Sequence, residues 1–199
     1  GNLSLGGNGK TPLVLHIIRH LRELGLKPIV LSRGYGGSLR GPILVDSRHA
    51  VSEVGDEPLM LFKQHGLSVV ISRQRAQGAR FIEKHNLADV IVLDDGFQHR
   101  ALSRELDLIC VYAGSNQAVL DFNKGRLLPW GRFREPRESG LSRADAIFFN
   151  SRTFEEIDPA SRKSLRSSLP QNLKIFWTHL RSDGFYSYYQ NCFVDLAGQ

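Results

Sequence analysis

The segment Ser4-Leu5-Gly6-Gly7-Asn8-Gly9-Lys10-Thr11 carries the residue types that hold a nucleoside triphosphate. Its glycines let backbone N–H groups turn inward around phosphates. Lys10 can reach the β/γ oxygens, the Thr11 hydroxyl can ligate Mg²⁺, and a helix starting there aims its positive end at the anion. Ser4 stands where the general pattern has its first Gly, which leaves open a Gly-rich turn without a ligand.

Val90-Ile91-Val92-Leu93-Asp94-Asp95 is an apolar run ending in two acids. A strand that stops at such a carboxylate is the usual companion of a phosphate loop, holding Mg²⁺ directly or through water. Taken alone, the run is also compatible with a strand followed by a turn. Val54-Gly55-Asp56-Glu57-Pro58 places two more acids before a helical pattern. Asp56 there reads as an N-cap with Pro58 early in the first turn. A loop carboxylate at the carboxyl edge of a sheet also faces the ligand crevice, so the cap is compatible with Asp56 being a candidate general base.

Three further stretches fall after strands or in a long loop, where substrate contacts collect. They are residues 32–37 with Tyr35, residues 96–99 with Gln98 and His99, and residues 127–136 with Arg134 and Glu135. Each is also compatible with plain packing or exposure. The remaining histidines show no metal-ligand spacing, and no Ser/His/Asp or Cys/His set points to a hydrolase nucleophile.

These residues need elements to position them. Apolar runs at 28–32, 43–46, 68–72, 89–93, 107–112, 144–149 and 174–178 read as strands. Several are apolar throughout rather than alternating, as in strands covered on both faces. Helical periodicity lies between them at 11–24, 57–65, 74–85 and 159–169. In the first, Leu13, Ile17, Leu21 and Leu24 form one apolar stripe. Strands alternating with helices predict an α/β fold: a mostly parallel sheet with helices on both faces, as in P-loop NTPases. Residues 123–141, rich in Arg, Gly and Pro, read as one long functional loop. The pattern weakens after residue 149. Residues 1–150 therefore read as the nucleotide-binding core and 151–199 as the start of a smaller C-terminal portion.

With 199 residues and 41% hydrophobic and 23% charged content, the chain has an ordinary globular balance. No run approaches the ~20 apolar residues of a membrane span. Cys110 and Cys192 match no metal spacing, which favours a reducing compartment. The net charge is +6. It is concentrated in residues 1–40, where six Lys/Arg face Glu23 alone, and again in residues 126–143. Phosphates, an anionic membrane or nucleic acid are the partners such a surface attracts. Aromatics are not interleaved with the basic residues and no nucleic-acid motif is present, so nucleic acid is excluded as the partner. A phosphate loop normally follows a buried strand. Its position at the first residues here predicts a piece of a longer protein, with the first strand of the core missing.

In order along the chain, residues 1–12, 31–37, 54–58, 75–79, 93–99, 127–136 and 141–145 resemble the tetraacyldisaccharide 4′-kinases of lipid A biosynthesis. Ser4 matches that family's own form of the loop. The resemblance implies ATP-dependent, Mg²⁺-assisted phosphorylation of the 4′-hydroxyl of a tetraacylated glucosamine disaccharide 1-phosphate. It implies a P-loop fold working at the cytoplasmic face of the bacterial inner membrane, against its anionic surface. It also implies an N-terminal membrane-associated helix and a further C-terminal portion. By position, residues Ser4 to Thr11 would bind nucleotide, and Lys10, Asp56 and Asp95 would be catalytic. Thr11, Asp94, Asp95 and Glu135 would be associated with Mg²⁺. Tyr35, Glu57, Arg75, Gln98, His99 and Arg134 would meet substrate. The family's base is assisted by a His from the C-terminal portion, and no counterpart follows His179.

The competing reading is a nucleotide-switch ATPase of the partitioning or metal-trafficking type, which would dimerise on ATP and need no acceptor hydroxyl. Asp56-Glu57 and the Arg-rich stretch at 127–136 have no task in such a switch.

Overall fold

The computed structural model describes residues 1–153, 157–179, 184–187 and 192–195. Helix α1 (Lys10–Glu23) leads into β1 (Pro28–Ser32), the short β2 (Ile43–Leu44), and helices α2 (Val51–Val54) and α3 (Asp56–Lys63). Strand β3 (Val69–Ile71), helix α4 (Arg75–Lys84) and strand β4 (Val90–Leu93) follow. The second half holds β5 (Leu108–Tyr112), α5 (Asn116–Lys124), α6 (Arg137–Leu141), β6 (Ala146–Ser151), α7 (Pro159–Ser167) and β7 (Lys174–His179). The backbone of β8 (Gly184–Ser187) pairs antiparallel with β9 (Cys192–Asp195).

The alternation of strands and helices is as expected, but the strands form separate hydrogen-bonded sheets. One has the order β2-β3-β1-β4, parallel except for the antiparallel β2; another has the order β5-β6-β7, parallel throughout. Strand β1 shows why helices cover both faces. Val30 packs with Val14 and Ile18 of α1 and Leu61 of α3, while Ile29 and Leu31 pack with Ile82 of α4. Successive side chains point to opposite faces, so a strand buried on both sides must be apolar at every position. Each such side chain contributes about 1.5–3 kcal/mol of burial.

The boundary expected near residue 150 falls inside β6. Strand β7 pairs with β6 from Ala146↔Lys174 to Ser151↔His179. Leu165 of α7 shares one core with Leu3, Ile109 and Phe149. Residues up to His179 thus continue the sheet rather than open a new unit. The expected loop at 123–141 is also partly regular, since it contains the end of α5 and all of α6.

Strands β4 and β5 leave a groove of about 440 Å³ between the two sheets, lined by Val90, Val92, Leu106, Leu108 and Cys110 among others. Gly1 sits at its head. Its amine donates to the Leu108 carbonyl at 2.9 Å and its carbonyl accepts from Cys110 N at 2.9 Å, the pattern of a parallel bridge to Ile109. Burial pushes that amine below its ordinary pKa. The chain therefore enters the phosphate loop from a strand-like start beside β5.

Candidate active site

The loop of residues 4–11 is held from within by Asn8, which is 6% exposed. Its Nδ2 donates to the Ser4 and Gly6 carbonyls, both at 3.2 Å, and its Oδ1 accepts from Tyr112 N at 3.2 Å. Asn2 Nδ2 adds a bond to the Ser4 carbonyl at 2.7 Å. From the sheet side, Asn150 Nδ2 at the end of β6 donates to the Asn8 carbonyl at 2.7 Å. Thr178 on β7 in turn hydrogen-bonds Asn150. Gly9 is required at the junction with α1: its φ is 76°, and a Cβ there would stand 2.7 Å from Asn150 Nδ2. The loop is thus fixed before any ligand arrives, with the N-terminus of α1 behind it.

Two charged chains cross in front of it. Lys10 Nζ reaches Asp95 Oδ1 at 2.7 Å, and Asp95 is also gripped by Arg134 Nη1 at 3.0 and 3.2 Å. Burial works against the Asp95 carboxylate, but the bonds from Lys10 and Arg134 outweigh it and hold its pKa below the ordinary value. Asp95 has φ 47°, a left-handed conformation that Asp tolerates better than most residues. This turn aims it at Lys10 while Asp94 faces inward.

Thr11 Oγ1 donates to Glu57 Oε1 at 2.7 Å, joining the first turn of α1 to that of α3. Asp94, 4% exposed, is pushed up to about 6, first by burial and then by the negative charge of Glu57. Negative charge is therefore crowded around the Thr11 hydroxyl. Among the described residues no group of three or more His, Cys, Asp or Glu side chains is placed to hold a metal ion by itself. A nucleotide-borne Mg²⁺ needs only one or two carboxylates beside phosphate and water oxygens. Thr11, Glu57 and Asp94 supply hard oxygen donors with excess negative charge, and they fit that ion.

A second polar network lies under the loop. Gln98 Nε2 donates to the Asn2 carbonyl at 2.8 Å and to Glu135 Oε1 at 3.1 Å. Glu135 pairs with Arg143 at 2.5 Å and Arg100 at 3.4 Å. Glu135 was expected among the Mg²⁺-associated acids; here its carboxylate is taken up by guanidinium groups. Arg75 also departs from its expected substrate contact. It is 4% exposed, and its guanidinium donates to the carbonyls of Ser72 and Asp94 at 3.0 and 3.1 Å, so it clamps the ends of β3 and β4. His99 turns its Nε2 into the protein without a partner among the described residues. Burial and then Arg75, Arg104 and Arg33 hold its pKa below the ordinary value.

Asp56 is exposed, and its Oδ1 accepts from Glu57 N at 2.9 Å. Gly55, with φ 93°, occupies the N-cap expected for Asp56, which becomes the first residue of α3. Tyr35 is 85% exposed in the loop after β1. The sequence reading missed Asn2, Asn150 and Arg143, and it missed Glu57 as the partner of Thr11.

The Arg-rich stretch is stitched to the phosphate loop itself. Leu5 N donates to the Arg132 carbonyl and Arg134 N to the Leu3 carbonyl, both at 2.8 Å, which is how Arg134 comes to face Asp95. A Gly-rich loop at a helix N-terminus, strand-end acids and an Arg arm against the loop are the kinds of group that phosphoryl transfer uses.

Known proteins carry the same arrangement of sequence. A family model described as tetraacyldisaccharide-1-P 4′-kinase matches residues 1–192. The chain is 47% identical to the tetraacyldisaccharide 4′-kinase of Nitrobacter winogradskyi over 152 residues, 74% of this chain and 42% of that protein. It is 40% identical to the Aeromonas salmonicida enzyme of the same name over 151 residues, 75% of this chain and 44% of that protein. Among solved structures it is similar to Aquifex aeolicus LpxK, described as an "apo" form in complex with ATP. That likeness has a TM-score of 0.64 and 36% identity over 80% of this chain and 48% of the other. The chain thus spans less than half the length of the curated relatives it matches. With 192 of its 199 residues matched by the family model, it belongs to the tetraacyldisaccharide-1-P 4′-kinase family.

Proposed function

We propose that the protein carrying this chain transfers the γ-phosphoryl group of ATP to the 4′-hydroxyl of a tetraacylated glucosamine disaccharide 1-phosphate, the precursor of lipid A. The observation that carries this reading is the convergence of Lys10, Thr11, Glu57, Asp94, Asp95 and Arg134 at one loop.

Phosphoryl transfer asks a protein chiefly for position and charge. The inward N–H groups of residues 4–11 and the end of α1 cradle the phosphates. Lys10 Nζ places its charge on the β/γ oxygens, oriented by Asp95. Thr11 and Asp94 are the residues that would hold Mg²⁺, which would supply neutralisation of phosphate charge, with Glu57 fixing the Thr11 hydroxyl. Arg134 offers a second cation to the migrating group. Asp56, exposed at the start of α3, accepts the proton of the sugar hydroxyl as that oxygen bonds to phosphorus. The bond from phosphorus to the ADP oxygen breaks, and ADP leaves. The basic surface of residues 1–40 suits an acceptor that bears phosphate within an anionic leaflet, at the cytoplasmic face of the inner membrane.

The test is acceptor dependence. ADP release by the full-length protein should require the tetraacyl disaccharide 1-phosphate in mixed micelles. ADP release that ignores the acceptor, coupled to ATP-dependent dimerisation, would replace this reading with the switch ATPase.

A further inference from the structure

Residues 127–133 form a small closed loop. Leu127 and Phe133 make a β-bridge, Leu128 N donates to the Phe133 carbonyl at 3.0 Å, and Phe133 N donates to the Arg126 carbonyl at 3.0 Å. Phe133, 3% exposed, anchors the base in the core with Leu3 and Phe122. The tip points the other way. Leu127 is 43% exposed, Leu128 46% and Trp130 84%. Together with Pro129, this is an unbroken exposed run of apolar residues at the end of a hydrogen-bonded turn.

Its setting is strongly basic. Residues 122–134 contain Lys124, Arg126, Arg132 and Arg134 and not one acid. Arg134 is taken by Asp95, while Lys124, Arg126 and Arg132 make no ion pair among the described residues. An exposed indole beside aliphatic side chains and unpaired guanidinium groups matches the chemistry of a bilayer interface. Trp prefers the headgroup level, Leu reaches the acyl boundary, and Arg meets anionic headgroups.

We propose that the tip formed by Leu127, Leu128, Pro129 and Trp130 inserts into the surface of an anionic bilayer, and that Arg126 grips its headgroups. The partner is the lipid surface itself, selected by charge complementarity. The tip is tied to the phosphate loop through Leu5 N and the Arg132 carbonyl, so its insertion sets that loop at the height of the headgroups. The placement derives its purpose from the lipid-kinase reading. Vesicle binding is nonetheless measured without nucleotide or acceptor, so each idea can fail alone.

Trp130 is its own reporter, because the other tryptophan, Trp177, is stacked on Phe149 in the core at 5.0 Å. The chain is titrated with vesicles of 70% phosphatidylcholine and 30% phosphatidylglycerol, and separately with pure phosphatidylcholine, while fluorescence and cosedimentation are followed. The expected result is a blue shift of the Trp130 emission on anionic vesicles, protected from aqueous quencher, with binding at least tenfold weaker on neutral ones. Trp130→Ser should lower partitioning about tenfold. Arg126→Gln should lower it roughly fivefold. These positions are exposed, so the variants should keep the thermal midpoint of the parent. Binding that leaves Trp130 emission unshifted, binding unaffected by Trp130→Ser, and no binding at all would each overturn the proposal. So would a blue shift that rises with protein concentration without vesicles, which would assign the tip to self-association.

Discussion

Thr11 Oγ1 and Glu57 Oε1 lie 2.7 Å apart, so that a hydroxyl in the first turn of one helix is locked to a carboxylate in the first turn of another. This contact joins the phosphate loop to the stretch that carries Asp56. Thr11, proposed to hold Mg²⁺, is therefore anchored by the side chain next in sequence to Asp56, the proposed proton acceptor.

Glu57→Gln keeps a hydrogen-bonding side chain but removes the charge that faces Asp94. The Asp94 pKa, raised to about 6 by burial and then by Glu57, should fall in this variant. An NMR titration of the Asp94 carboxyl checks it, and an unmoved midpoint would deny the contact its electrostatic role. Transfer should drop by about 10²-fold, because the Thr11 hydroxyl loses its charged anchor.

Asp94 also makes stability depend on pH in a stated direction. Its folded pKa of about 6 lies above the 3.8 of a free carboxyl, so the native state binds the proton more tightly. The protonated native form is favoured at low pH, and stability from this group is lost as pH rises from about 4 to about 6. The loss amounts to at most about 3 kcal/mol. Urea unfolding of the parent and of Asp94→Asn should therefore diverge across that window, with the variant gaining relative stability toward neutral pH. Parallel curves would contradict the shift.

Much of this was legible in the residue pattern. The continuous apolar run 28–32 became β1 at those limits, because a strand buried on both faces has no alternation to blur its ends. Lys10 and Asp95 were readable from their motifs, which are local. Their meeting across 85 residues was not, nor was that of Thr11 and Glu57 across 46. Helix α5 was missed although both of its signals are present: Ser115 Oγ caps Ala118 N at 3.1 Å, and Gly125 follows it with φ 56°. Helix α6 was hidden by the Arg, Gly and Pro around it. Asn150 carried no signal at all, since a polar residue ending an apolar strand looks like any other strand end.

Asn150→Ala tests that hidden support. Removing its side chain leaves the Asn8 carbonyl without its partner, which costs about 1–3 kcal/mol for a buried group. ATP affinity should fall several-fold even though Asn150 is not proposed to touch phosphate, and isothermal titration beside thermal melting would show both effects. Loss of stability with unchanged affinity would confine Asn150 to the scaffold.

Lys10→Ala should reduce both ATP affinity and turnover, because its charge serves the bound and the transferring phosphate alike. A loss of about 10²–10³-fold in kcat/KM is expected. Wild-type nucleotide affinity in that variant would count against residues 4–11 as the phosphate loop.

The groove between β4 and β5 makes a prediction about the fold. An extension of five Val and Ile residues before Gly1 should continue its parallel bridge and pair with both strand edges. The amides of residues 90–93 and 108–110 should then exchange more slowly and the melting temperature should rise. A Gly-Ser extension of the same length should do neither. Equal behaviour of the two extensions would show that the groove does not accept a strand.

The central claim is tested most directly by where the phosphate goes. The full-length protein and its Asp56→Ala variant are incubated with ATP, Mg²⁺ and the tetraacyl disaccharide 1-phosphate, and the lipid product is read by ³¹P–¹H correlation NMR. The account predicts a new phosphomonoester coupled to the proton at the 4′ carbon. It also predicts that the Asp56 variant binds ATP but forms this product at least about 10³-fold more slowly. Phosphate appearing only as the inorganic ion, or at another hydroxyl, would contradict it, as would an Asp56 variant with undiminished transfer.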